Sequence, residues 1–182
     1  MSDINDRWST SIHESAHCIC ALILGGKCDA IVVENDGGGY AKIHELDNAR
    51  FTYAVAAGPA SRRLVPEYLP PDLPPDSQSV SLLSIGQQSS FGEASDAALS
   101  RIALAAMTGP SDESIIAHYS VDGHEDDPSC WERRARFVMR LAEEIVSDNV
   151  ELIIKLAQEL FRRGKLNATE INEIISQKES KA

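Results

Sequence analysis

Apolar residues recur every three or four positions along several stretches of this chain, and each such stretch reads as an amphipathic helix. In 6–24, Trp8, Ile12, Ile19 and Ile23 share one face, Asp6 or Ser9 offers an N-cap, and Gly25 and Gly26 form a stop. The small-residue stretch "ARFTYAVAAGPASRRLV" (49–65) predicts a second helix, with Gly58 and Pro59 as an interruption or a point of close packing. "FGEASDAALSRIALAAM" (91–107) predicts a third. From Pro128, placed as at a helix start, the periodicity runs on with a break near Ser147–Asn149 and closes at Gly164. Asn167, with Glu170 three residues on, then signals a capping box and a last short helix.

The pattern changes period twice. "CDAIVVE" (28–34) is a β-branched run, "YAKIHE" (40–45) alternates, and "NDGGG" between them predicts the turn of a β-hairpin. Residues 66–90 hold five of the eight prolines and read as a proline- and serine-rich loop insertion. Residues 109–128 read as an acidic loop with a short element at Ile115–Tyr119. The expected fold is mainly α with a small β-hairpin or short sheet, in a single domain over 1–182.

Composition narrows the function. A chain of 182 residues supports one domain with a proper core, and 43% hydrophobic with 25% charged residues is ordinary for a soluble globular protein. The net charge of −11 argues against a nucleic-acid phosphate backbone as a partner, and against anionic lipid equally. No basic and apolar leader opens the sequence, and no apolar run approaches the ~20 residues of a membrane span. Cys18, Cys20, Cys28 and Cys130 show no CxxC pair and no disulfide spacing, so a reduced, cytoplasmic setting is expected.

The candidate chemistry lies in "HESAH", residues 13–17. Residues four apart share a helix face, so His13 and His17 can present two imidazoles to one metal ion. Glu14 then stands beside the open metal position, placed to take a proton from water. Two imidazoles with one further ligand suit Zn²⁺. For the third ligand, His44, His118 and His124 read as surface histidines, and Cys20 as a small core residue. Glu93 and Asp96 sit at i and i+3 on the 91–107 helix. Glu93 suits a helix N-terminus, whereas Asp96, a short acid among Ala94, Ala97, Ala98 and Ile102, needs a partner.

The order of "TSIHESAHCICALIL", "AIVVENDGGGYAKI", "AVAAGPASRRLV" and "GEASDAALSRIA", followed by a long helix broken once and a short capped helix, resembles the zincin-like peptidase domain of the FtsH family. The resemblance covers Thr10 to about Ile175. It implies His13, His17 and Asp96 as zinc ligands and Glu14 as general base. It departs at Ala16, where the family usually has glycine, and in the length of the 66–90 loop. Members of that family carry an AAA+ ATPase on the same chain, but no GxxxxGK[ST] phosphate loop occurs in these residues. The expected activity is therefore ATP-independent zinc-dependent hydrolysis of peptides or unfolded polypeptides, with a homo-oligomer or a separate ATPase as partner. The alternative is a non-catalytic zinc- or peptide-binding module that regulates or accompanies a larger protease.

Overall fold

A computed structural model describes residues 2–65, 67–68, 111–122 and 127–176. Helix α1 (Ser2–Ile23) runs through the middle of the fold. Between Ser11 and Ala21 every residue but His13 is buried, as a helix enclosed on nearly all sides requires. Trp8, Ile12 and Ile19 are core residues as expected, whereas Ile23, in the last turn, is 53% exposed. The helix begins at Ser2, so Asp6 and Ser9 lie within it and neither caps it. Its end follows the glycine signal. Gly25 takes φ +84°, and the N–H groups of Gly25 and Gly26 donate to the Leu22 and Ala21 carbonyls.

Strands β1 (Lys27–Val33) and β2 (Gly39–His44) form the expected hairpin, with Ile31 opposite Ala41. A third strand, β3 (Lys165–Asn167), joins the free side of β1 and makes an antiparallel sheet of order β2-β1-β3. Three residues are too few to show alternation, so β3 has no periodic signature in the sequence. Cys28, Ile31 and Val33 of β1 are buried in the core beneath. None of the four cysteines is in a disulfide.

Helix α2 (Asn48–Ser61), capped by the Asp47 carboxylate, continues without interruption through Gly58 and Pro59 into a short 3-10 turn at Arg62–Leu64. Gly58 is instead a close-packing point, against α1. Where a short element at Ile115–Tyr119 is expected within an acidic loop, the structure has a helix. Ser111 accepts a hydrogen bond from the Ser114 N–H and opens α3 (Asp112–Val121), longer than the element anticipated there. Asp112 and Glu113 in its first turn are well placed for the helix dipole.

Helix α4 (Pro128–Asp148) has Pro128 in its first turn, breaks at Asn149 and gives way to α5 (Val150–Arg163). Gly164 at φ +74° ends α5. The capping box then forms in full, the Glu170 N–H donating to Asn167 Oδ1 and the Asn167 N–H to Glu170 Oε2, at the start of α6 (Ala168–Ser176). Val138, Met139, Ala142 and Val146 bury one face of α4, which packs on α2 and α3. Ile153, Leu156, Ala157 and Leu160 bury one face of α5 against α1. These two packings fix α1 between the sheet, α2 and α5, and so hold the HESAH turn from both sides. The described residues are thus mainly helical with a small antiparallel sheet, as the pattern predicts. Among them, no helix is long and apolar enough to cross a membrane. Most of the proline-rich stretch, the whole predicted 91–107 helix and His124 lie outside the described residues.

Candidate metal centre

The helical spacing of His13 and His17 brings their rings edge to face, with centroids 4.6 Å apart. With Glu14 they form a group whose ligand atoms all lie within 4.8 Å of one another, a group that could hold a metal ion. A second acid completes the arrangement from a different element. Oδ2 of Asp112, in the first turn of α3, lies 2.7 Å from His13 Nε2 and 3.2 Å from His17 Nε2. Two ligands on a tetrahedral metal, each at about 2.0–2.1 Å, stand about 3.3 Å apart. One Asp112 oxygen therefore stands against both imidazole nitrogens, at distances somewhat inside that spacing, as a hydrogen-bonded carboxylate would in place of a shared ion.

The surroundings orient these groups. His17 Nδ1–H donates to the Ala54 carbonyl at 2.9 Å, which fixes the ring and aims Nε2 at Asp112. A backbone carbonyl on the far nitrogen is the usual support of a metal-binding histidine. Gly58 makes room on the α2 side. A Cβ there would stand 2.5 Å from Cε1 of both histidines and from His17 Nε2. Gly39 does the same on the sheet side, where a Cβ would meet Thr10 Cγ2 at 2.6 Å and Glu14 Cγ at 3.1 Å. The start of β2 thus rests directly on the helix turn that carries Glu14.

The charges are those of a cation site. Burial and the hydrogen bonds from His13 and His17 act oppositely on the Asp112 carboxyl, and the hydrogen bonds win, holding it below the ordinary range. Burial lowers the His17 imidazolium, but Asp112 and Glu14 outweigh it and raise it to about 9. Protons on imidazole nitrogen here occupy the place where a metal would supply the positive charge. Burial raises the Glu14 carboxyl, against the pull of His17 and His13.

The site opens into a groove of about 670 Å³. Residues 39–43 of β2, an edge strand among the described residues, form one wall, and Phe51, Val55 and Ile115 contribute apolar surface. Arg62 and Glu113, paired at 3.0 Å, also line it and tie the end of α2 to the first turn of α3, beside Asp112.

His13, Glu14 and His17 come together as their spacing predicts; Asp96 and Glu93 lie outside the described residues. His44 sits apart, bonded to Asp29 at 2.9 Å on the hairpin, and His118 is exposed, its Nδ1–H donating to the Ser114 carbonyl. Cys20 is buried and burial pushes its thiol up to about 12, which suits a core residue and not a thiolate ligand. Asp112 was not among the expected ligands. Its one local signal is the helix start at Ser111, Asp112 and Glu113, which the acidic character of 109–128 conceals.

Gly58→Ala tests the cradle. The methyl has no space that the two imidazoles do not already use, so metal affinity should fall about 10–100-fold, the scale for disturbed ligand support. Titration with zinc against a competing chelator measures it; an unchanged affinity would mean the rings are free to shift. No protein-family model and no curated protein matches this chain.

Proposed function

We propose that this chain is an ATP-independent zinc metallopeptidase of the FtsH type, acting on unstructured polypeptides. The observation that carries the reading is the convergence of His13, His17 and Asp112 with an adjacent buried carboxylate, Glu14, that is not needed as a ligand. His13 and His17 through Nε2, and Asp112 through a carboxylate oxygen, would hold the ion. The donor set suits zinc, which supplies Lewis-acid polarisation of water and of the peptide carbonyl when bound. Glu14 accepts the proton released as water adds to the carbonyl carbon, then returns it to the amide nitrogen as the C–N bond breaks. Burial favours that role, because a carboxylate with a raised proton affinity is the better base.

The groove supports a chain-like substrate. An edge strand offers backbone donors and acceptors to an extended segment, which can add as a further strand along 39–43. A folded protein presents no such segment. The experiment compares casein or a short quenched peptide with a stably folded protein, each with and without ATP. Cleavage of the unstructured substrates, abolished by a chelator, restored by zinc and indifferent to ATP, is the expected result. Equal cleavage rates on a protein in its folded and unfolded forms would overturn the substrate assignment.

A further inference from the structure

A second cleft, of about 440 Å³, opens from the far end of the catalytic groove. Phe51 and Ile115 line both, so the two share a wall. Part of the lining follows helical spacing along α2 and α3. Asn48, Phe51, Thr52 and Val55 lie at i, i+3, i+4 and i+7 on α2, and Asp112, Ile115, Tyr119 and Asp122 lie along one side of α3. The two clefts are therefore one valley between α2 and α3, which starts at Asp112 and the histidines and runs the length of α3.

We propose that this valley is a specificity cleft that holds an apolar side chain of the substrate about three to five residues from the cleaved bond. The proposal rests on the peptidase reading of the groove. The distance follows from geometry. From Asp112 to Tyr119 is seven helical residues, a rise of about 10 Å, which an extended chain at about 3.3 Å per residue covers in three. To Asp122 the rise is about 15 Å, or four to five residues.

The chemistry of the walls gives the class of side chain. Phe51, Ile115, Tyr119 and Val121 supply apolar surface, and Asn48, His118 and Asp122 supply a polar rim. The Tyr119 ring is held in place, with the Arg134 guanidinium 4.8 Å from its centroid and Tyr53 at 6.4 Å, so it offers a fixed surface at little entropic cost. Such a cleft rewards a Phe, Leu or Met side chain and gives nothing to Gly or Ser. The occupant is the substrate itself because the valley is continuous with the groove that holds the reacting bond.

Binding tests this without requiring turnover. The probe set is a labelled peptide long enough for the catalytic groove alone, and the same peptide lengthened by five residues at one end or the other. Each extension carries either Phe and Leu or Gly and Ser. Zinc-loaded Glu14→Gln protein is titrated with each and fluorescence anisotropy is read. One apolar extension should tighten Kd about tenfold, while the Gly and Ser versions do not. Asn48→Trp, which fills the cleft from an exposed position, and Tyr119→Ala should each reduce that gain to near one. Equal Kd for apolar and polar extensions at both ends, or a gain that survives both variants, would overturn the cleft. Failure of wild-type protein to cleave any of these peptides would instead count against the peptidase reading, and the binding comparison would still decide the cleft.

Discussion

Glu14→Gln is expected to keep its metal and lose about 10²–10⁴ in the rate of peptide cleavage. In the proposed site the residue neighbours a ligand in sequence and faces the groove, 6% exposed, and is assigned the base's role rather than a ligand's. Gln preserves its volume and part of its hydrogen bonding but cannot accept a proton. The effect should fall on kcat far more than on KM, because the substrate's contacts with the β2 edge and the apolar wall are untouched. A non-catalytic module behaves differently, with no cleavage in either protein and equal binding of peptide. Steady-state kinetics on a quenched peptide, with zinc content measured on the same samples, separates these outcomes. Equal turnover in Glu14→Gln and wild type would remove Glu14 from the mechanism.

The second large effect concerns the third ligand. Asp112→Ala takes away the one carboxylate among the described residues that pairs with both Nε2 atoms. Its zinc affinity should fall by at least two orders of magnitude, with activity lost in parallel. Asp112→Asn keeps the shape without the charge and should fall nearly as far. Asp96→Ala is the essential comparison, since resemblance to the FtsH family implies that residue while the geometry brings in Asp112. Competition titration of the three variants decides between them. Zinc held at wild-type strength by Asp112→Ala and lost by Asp96→Ala would assign the position to Asp96.

The glycine stops and the capping box appear in the structure where the sequence signals them, although Asp6 and Ser9 do not cap α1. Gly25 and Gly164 end their helices in left-handed conformations, and Asn167 with Glu170 forms its capping box, because each depends on neighbours within a few residues. The HESAH turn is of the same kind, since helical spacing alone puts His13 and His17 side by side. What could not be read depends on the tertiary fold. Asp112 is 99 residues from His13 and meets it only because α3 packs on α2. Strand β3 exists because β1 offers it a free edge. Pro59 stays inside α2, where propensity alone argues for a break, in a helix buried along nearly its whole second half. Ile23 has the right spacing for the core but sits where α1 has already left it. Gly58 shows the intermediate case. The sequence marks it as an interruption or a point of close packing, and the fold selects the second and places the histidine rings against it.

The most direct measurement is the metal content of wild-type protein, purified without chelators and exposed to zinc, beside that of His17→Ala treated identically. Elemental analysis should find about one zinc per chain in the first and little in the second, because His17 is the buried, carbonyl-oriented member of the set. Wild-type protein that retains no zinc, or His17→Ala that retains as much as wild type, would contradict a metal centre at the HESAH turn and with it the proposed hydrolysis.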